Sequence, residues 1–462
     1  MFKTSIKTGL LAGLVAVLAV GCGDDDSNNT PRTDMGMPDS GAPDSMKPAE
    51  DGMAASSIVD IAAASSDFST LVAAVTRAGL VDTLKGAGPF TVFAPTDKAF
   101  ADSGITDLNS IPLDQLKTIL LYHVLPGQVG SSQVSAGPAD TAASLTLFLG
   151  TTGGVTINGG NAVKGGANVV QADIMASNGV IHVIDRVILP PDIPACAVYG
   201  GLDELVNAVG AAADLPGGTS VLSALQGAGP YTVFAPTNAA FQAISAPSDP
   251  AVLRDVLLYH VVSGSVESSA IPAKADSLLT NKWGNGVTLL FDTSSGAKVN
   301  GAGVAIADIR CTNGIVHVID KVLLPPTIVD MVGIAGLSEL GKAVGAAAAL
   351  PGGTTVADAL SASEPYTVFA PTNAAFQAIT APSDPAVLRD VLLLHVVKAA
   401  SPVLSSQLPS SAVDTLLSGE TLSFNATAPA VSSDGTPGAN IGPFDINVTN
   451  GVVHVIDKVL LP

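Results

Sequence analysis

Apolar residues recur along the chain in three blocks that share one order of predicted elements. Each block closes on an Asn-Gly pair, a run of β-branched and aliphatic residues and a proline, at residues 178–190, 313–325 and 450–462. An Asn-Gly turn before such a run predicts a hairpin that leads into a strand. The copies lie about 135 residues apart, which is the size of a domain. The pattern therefore predicts three tandem domains.

The clearest helical pattern covers residues 248–261. Its Ser-Asp-Pro start supplies a capping side chain and a first-turn proline. The apolar positions fall at i, i+3, i+4, i+7 and i+8, on one face of a helix: Leu253, Val256, Leu257, His260 and Val261. The pattern points His260 inward near the helix end, and His123 and His395 hold the same place in the other blocks.

A strand with the sequence Thr-Val-Phe-Ala-Pro-Thr lies earlier in each block, at residues 91–96, 232–237 and 367–372. The proline is expected to end the strand. The short helix that follows is predicted to bury a phenylalanine in the core: Phe100, Phe241 or Phe376.

These blocks predict domains at residues 55–191, 192–326 and 327–462. Proline pairs at residues 190–191 and 325–326 restrict the backbone at the two junctions, so we expect a semi-rigid row. The composition is 47% hydrophobic, which is sufficient for packed cores.

The start of the chain predicts export. Residues 1–22 contain lysines, then an apolar run too short to span a bilayer, as in a secretion signal. The Leu-Ala-Val-Gly-Cys sequence at its end resembles the cleavage box of bacterial lipoproteins, so Cys22 is expected to carry lipid. Ordinary cleavage that leaves Cys22 as a free thiol is the alternative. Gly23 after this cysteine favours the outer membrane, by the same resemblance.

Residues 23–54 are rich in Asp, Ser, Pro and Gly and lack aromatic residues, which predicts a disordered tether. No other stretch has the length of a transmembrane segment. The formal net charge of −20 argues against binding to nucleic acid and against electrostatic docking on anionic lipid. A general role in solubility explains this charge.

Cysteines and histidines are the candidates for covalent or metal chemistry. Cys196 and Cys311 lie in the second block and form a disulfide or two separate buried thiols. Each block has one histidine at the helix end and one in the closing strand, in the pairs His123 with His182, His260 with His317, and His395 with His454. No third ligand recurs with them, so we expect structural, hydrogen-bonded histidines and no metal site. The alternative is a metal or small-molecule site at each pair.

The three ordered motifs resemble those of the fasciclin domain family. They are the Thr-Val-Phe-Ala-Pro-Thr strand with its phenylalanine helix, the Leu-Leu-Tyr-His-Val helix end, and the Asn-Gly-x-x-His-Val-Ile-Asp hairpin. The resemblance covers about residues 56–462 and implies an α+β fold. Each domain would be a wedge-shaped β-sandwich of about seven strands with small helices along one edge. It also implies cell-surface adhesion and matrix interaction without enzymatic activity.

In animal members the Tyr-His pair and an Asp-Ile dipeptide are linked to integrin binding. The resemblance therefore implies these binding residues: Tyr122, His123, Tyr259, His260, His395, Asp173, Ile174, Asp308, Ile309, Asp445 and Ile446. Leu394 replaces the tyrosine in the third block. The alternative is that all of these residues serve packing alone.

Taken together, the sequence predicts a surface-anchored adhesion lipoprotein of the cell envelope, on the outer membrane or cell surface. It would use three non-catalytic modules and no cofactor. Its partner would be a surface protein, a polysaccharide or itself, and its lipid anchor would hold it to the membrane. A small-molecule or metal-binding envelope protein is the alternative.

Overall fold

The computed structural model describes most of the chain after residue 55. The described ranges are 56–160, 165–212, 220–245, 247–350, 353–425, 429–434, 436–442 and 445–462. The predicted signal at 1–22, the lipidation site Cys22 and the predicted tether at 23–54 lie outside these ranges. Residues 53–462 form one compact unit.

The first domain contains helices α1 to α5 and strands β1 to β7. The helices are α1 (Ile58–Ala64), α2 (Ser69–Arg77), α3 (Val81–Lys85), α4 (Asp97–Asp102) and α5 (Leu113–Tyr122). The strands are β1 (Phe90–Pro95), β2 (Val124–Pro126), β3 (Gly137–Asp140), β4 (Thr146–Gly150), β5 (Thr156–Ile157), β6 (Ala167–Ala176) and β7 (Gly179–Ile184). They form one sheet in the order β2-β1-β7-β6-β5-β4-β3.

The second domain repeats this order of elements and closes its strands into a barrel. The helices are α6 (Ile193–Tyr199), α7 (Asp203–Ala211), α8 (Val221–Leu225), α9 (Asn238–Gln242) and α10 (Pro250–Tyr259). The strands are β8 (Tyr231–Pro236), β9 (Val261–Ser263), β10 (Lys274–Thr280), β11 (Gly286–Asp292), β12 (Lys298–Val299), β13 (Ala302–Cys311) and β14 (Gly314–Ile319).

In the third domain the described strands form two four-stranded sheets. The helices are α11 (Ile328–Ile334), α12 (Ser338–Ala346), α13 (Val356–Ser361), α14 (Asn373–Gln377) and α15 (Pro385–Leu394). The strands are β15 (Tyr366–Pro371), β16 (Val396–Lys398), β17 (Val413–Asp414), β18 (Thr421–Asn425), β19 (Ala430–Ser433), β20 (Thr436–Asn440), β21 (Ile446–Val448) and β22 (Gly451–Ile456).

The predicted hairpin and the predicted strand lie side by side in every domain. In the first domain β6 and β7 pair antiparallel across the Asn-Gly turn, and β7 then pairs parallel with β1. The pairs β8 with β14 and β15 with β22 have the same parallel register. Since both strands of each pair are buried almost throughout, this pair forms the centre of the domain.

The described residues of each domain form two apolar clusters, one between the helices and the central strands and one among the strands. The helix predicted at residues 248–261 is α10, and Asp249 caps it. The predicted core phenylalanines are buried: Phe100, Phe241 and Phe376. The predicted α+β class, with small helices packed on sheets of about seven strands, is confirmed.

Within the described ranges no single helix has the length and apolar composition needed to cross a membrane. The helical segments Ile58–Ala64 and Ser66–Arg77 meet this criterion only as a pair, bent by 105°.

Candidate functional site

Each closing hairpin turns at an asparagine whose side chain is buried and bonded to three backbone groups. Asn178 Oδ1 accepts from the Ile58 N–H at 3.0 Å, and Asn178 Nδ2 donates to the Leu84 and Gly86 carbonyls at 2.8 and 2.9 Å. The same three bonds recur at Asn313 and Asn450. The sequence indicated the turn and missed this role, because the partners lie 92 to 120 residues away.

The helix-end histidines, His123, His260 and His395, link the end of a helix to the segment after the closing strand. In the first domain His123 Nδ1 donates to the Ile119 carbonyl at 2.7 Å, and Nε2 accepts from the Ile188 N–H at 3.2 Å. The other two domains repeat both bonds. Each ring is therefore a neutral imidazole with both nitrogens engaged. Burial lowers the pKa of each to about 4.

The strand histidines, His182, His317 and His454, have the opposite tautomer. His182 Nδ1 accepts from the Asp173 N–H at 3.2 Å, and Nε2 donates to the Val129 carbonyl at 2.9 Å. The same contacts occur in the other domains. Burial lowers the pKa of His317 and of His454. These histidines bond the closing strand to the loop that follows β2, β9 or β16.

The aspartates of the Asp-Ile dipeptides have a structural role in every domain. They have φ angles of 60°, 58° and 55°, in the left-handed region, at Asp173, Asp308 and Asp445. Asp173 Oδ1 accepts from the Ser131 N–H at 2.7 Å, and its other oxygen accepts from the Ser131 hydroxyl. These bonds lower the pKa of Asp173. At Asp308 burial opposes ionisation, but equivalent bonds from Ser268 outweigh it and lower the pKa.

Both tyrosines of the Tyr-His pairs are 0% exposed. The Tyr122 hydroxyl donates to the Thr146 carbonyl at 3.1 Å and accepts from Asn158 Nδ2 at 3.2 Å. Tyr259 has the equivalent two partners. Burial raises the pKa of both hydroxyls. Leu394 fills the same position in the third domain and is also 0% exposed.

The structure therefore separates the predicted binding residues into two groups. The Tyr-His residues are interior: Tyr122, His123, Tyr259, His260 and His395. A partner cannot touch them in this conformation. The Asp-Ile dipeptides lie at the surface of the sheets, but Ile309 and Ile446 are 3% and 1% exposed. In the first domain Asp173 is exposed, and Ile174 is half-buried against the core. A binding role for any of these residues stays a prediction.

A disulfide joins Cys196 of α6 to Cys311 at the end of β13. It links the first helix of the second domain to the strand before its closing turn. The two cysteines are 115 positions apart in the sequence, so the bond closes a loop of nearly the whole domain.

Across the described residues, no group of three or more His, Cys, Asp or Glu side chains could hold a metal ion. A histidine that bound a metal would have to give up a backbone hydrogen bond, since both of its ring nitrogens are engaged. The two-histidine arrangement thus lacks the geometry of a metal centre in these parts of the chain.

The second and the third domain each have an apolar cavity between their first helices and their central strands. Its volume is about 440 Å³ in the second domain, where Val206, Val209 and His260 line it, and about 340 Å³ in the third. The corresponding space in the first domain is about 40 Å³. The connection from α2 to α3 is shorter than that from α7 to α8, and Thr76 takes the place of Gly210.

Comparisons with known proteins agree with this architecture. The fasciclin domain family matches residues 66–190, 209–325 and 346–462. Protein sll1483 of Synechocystis sp. is 48% identical over 142 residues, which are 30% of this chain and 75% of that protein. Transforming growth factor-beta-induced protein ig-h3 of Oryctolagus cuniculus is 29% identical over 420 residues, which are 86% of this chain and 56% of that protein.

The solved structure of a FAS1 domain pair from the insect cell adhesion molecule Fasciclin I is similar at 18% identity and a TM-score of 0.37. The similarity covers 55% of this chain and 96% of that chain. The chain spans about half the length of the ig-h3 protein that it matches. With three matches that together cover most of its length, the chain belongs to the fasciclin domain family, as three tandem domains.

Proposed function

We propose that this protein is an adhesion protein of the cell envelope that binds a surface partner through three tandem, non-catalytic modules. Its family supports this role. The observation that carries the proposal is that the polar side chains of the repeated motifs make their hydrogen bonds inside each domain. The hairpin asparagines, both classes of histidine and the tyrosines are bonded to the protein itself. What each domain offers a partner is therefore a surface.

Lipid attachment at Cys22 would hold this row of domains on the outer membrane or cell surface, and residues 23–54 would separate it from the lipid. Replacing Cys22 with alanine should release the protein from the membrane fraction after lysis. Membrane retention of the Cys22→Ala protein would contradict the lipid anchor but would not affect the proposal that the three domains bind a partner.

Three weak sites in one chain bind strongly when they engage together, by about 100-fold or more over a single site. The test compares the chain from residue 23 with each single domain, labelled and titrated onto the same cells. We expect the three-domain chain to bind at least about tenfold more tightly than any single domain. Equal affinity of one domain and three would contradict binding through tandem modules.

Binding of a small apolar molecule is a second candidate function, favoured by the cavities of the second and third domains. Cavities of about 300 to 1,000 Å³ are typical of small-ligand sites. An environment-sensitive apolar dye should enter them and be displaced when Val209→Phe and Val344→Phe fill both. Unchanged dye binding by this double variant would remove the second candidate.

A further inference from the structure

The two junctions between domains are built from the same contact. The Arg310 N–H of the second domain donates to Thr146 Oγ1 of the first at 3.0 Å. The Asn447 N–H of the third domain donates to Thr288 Oγ1 of the second, also at 3.0 Å. In both cases the donor directly follows an Asp-Ile dipeptide. We call the donor side the Asp-Ile edge, at residues 173–176, 308–311 and 445–448, and the acceptor side the threonine face, centred on Thr146, Thr288 and Thr421.

An aspartate orients the threonine at each junction. Asp140 is the cross-strand partner of Thr146, and Asp276 is that of Thr288. The Thr288 hydroxyl donates to Asp276 Oδ1 at 2.7 Å, while the Thr146 hydroxyl donates to Asp140 Oδ1 at 3.4 Å. Because the hydroxyl proton is used in this way, an oxygen lone pair is left to accept from the neighbouring domain.

Side chains around the shared contact strengthen the first junction. Phe148 follows the threonine and packs into the core of the second domain, with its ring centroid 6.4 Å from that of Tyr199. Arg310 Nη1 lies 3.5 Å from Asp140 Oδ2.

The second junction has its own supports. Leu290 packs against the core of the third domain in the way that Phe148 packs at the first junction. Lys274 Nζ donates to the Asp445 carbonyl at 3.0 Å, and Asn281 Nδ2 donates to the Val448 carbonyl at 3.2 Å. The two junctions thus share one backbone contact and one apolar position, and differ in their charges.

Both halves of this contact recur at the ends of the row, where no described residue of the chain makes the matching contact. In the first domain β6 pairs with β5 only at residues 167–168, so among the described strands β7 alone accompanies residues 174–176. Met175, equivalent to Arg310, is 60% exposed, and Val170 is 62% exposed. At the other end, Thr421 is exposed and pairs across strands with Asp414. In contrast, Thr146 and Thr288 are 2% and 0% exposed.

We propose that this protein associates head to tail with a second copy of itself, through the threonine face of the third domain and the Asp-Ile edge of the first. An exposed strand edge with apolar side chains is suited to such pairing. The contact is heterologous, so it leaves both ends of each dimer available and produces rows of increasing length. This inference rests on the proposed binding function and identifies its partner as the same protein.

The contact between copies is weaker than the junctions within the chain. Ser423 occupies the position of Phe148 and Leu290, and Met175 replaces the arginine that faces Asp140. No linker raises the effective concentration of the two surfaces. Association is therefore reversible and favoured where copies are crowded, as they would be on a membrane.

Sedimentation velocity over a concentration series of the chain from residue 23 tests the proposal. We expect the average sedimentation coefficient to rise with concentration without reaching a dimer plateau. Met175→Asp places a carboxylate opposite Asp414 and should weaken association by about tenfold or more. Adding Asp414→Lys to the same chain should restore it. Ser423→Phe should tighten association by about tenfold, since it returns the apolar contact of the first junction.

Leu113→Asp is the matched control, because Leu113 is also an exposed apolar residue of the first domain, 50% exposed, outside the Asp-Ile edge. It should leave association unchanged. Met175 is exposed, so its substitution should leave thermal unfolding unchanged as well.

A chain that stays monomeric at every concentration would overturn the proposal, and so would equal association of the Met175→Asp variant. Association by residues 55–462 but not by the chain from residue 23 would show that the N-terminal segment covers the edge instead. Monomeric protein that still binds cells overturns this inference alone. Protein that self-associates but binds no cells overturns the proposed adhesion.

Discussion

Removal of the buried hairpin asparagine should destabilise one domain severely while its neighbours stay folded. Asn178→Ala deletes three hydrogen bonds that join the first helix and the C-terminal end of α3 to the closing hairpin. A buried hydrogen bond contributes about 1 kcal/mol net, so the loss is about 3 kcal/mol in the free energy of unfolding. The Ile58 N–H and the Leu84 carbonyl would be left buried without a hydrogen-bond partner, which raises this cost further.

Hydrogen exchange followed by mass spectrometry resolves this effect, because a three-domain chain need not unfold in one step. The Ile58 amide and the strands β1 and β7 should lose protection by about 100-fold. Peptides from the third domain should exchange as before.

Asn168→Ala is the matched control in the same domain. Asn168 Nδ2 donates to Asp185 Oδ2 at 2.9 Å, but this pair is exposed, so its loss should change stability by no more than about 0.5 kcal/mol. If Asn178→Ala cost no more than Asn168→Ala, the fastening role of the hairpin asparagine would be wrong.

Three further predictions follow from the same contacts. Gly179→Ala should prevent folding of the first domain, because the added Cβ would lie 2.0 Å from a carbonyl oxygen of β1. Gly345→Ala in α12 is the matched control and should be tolerated, because its Cβ would meet no atom within 4 Å. Limited proteolysis should cleave the first variant faster than the second. The helix-end histidines have pKa values of about 4 in the folded protein, below the ordinary 6.5, so the unfolded state binds more protons. The free energy of unfolding should therefore fall as the pH drops from 6.5 to 4. A denaturation midpoint that stays constant over this range would contradict the burial of these histidines. Reduction of the Cys196–Cys311 bond should cost about 2 to 5 kcal/mol in the second domain only, and equal loss of exchange protection in all three domains would refute this.

Local patterns predicted the elements that local chemistry determines. The Asn-Gly turn and the β-branched run after it gave the hairpin of β6 and β7, since a turn and its flanking strands are adjacent in sequence. The 3.6-residue period gave α10 and the inward position of His260, which is 2% exposed.

These local patterns could not predict contacts between residues far apart in the sequence. The parallel pairing of β1 with β7 joins segments about 90 residues apart, and periodicity carries no information on which strands pair. The Asp-Ile dipeptides were predicted as binding residues by resemblance. Their left-handed aspartates and bonds to a serine about 40 residues away were visible only in three dimensions. The junction contact of Thr146 with Arg310 spans 164 residues, and no sequence pattern indicated it.

Adhesion itself is tested most directly by adding the labelled chain from residue 23 to cells that carry this gene and to cells from which it has been deleted. The proposed function predicts binding that increases with protein concentration, and self-association predicts that this binding is confined to the carriers and weakened by Met175→Asp. Equal binding to both cell types would support the adhesive function but would show that the partner is another surface molecule. Absence of binding to either cell type, with folded protein at saturating concentration, would contradict the adhesive function.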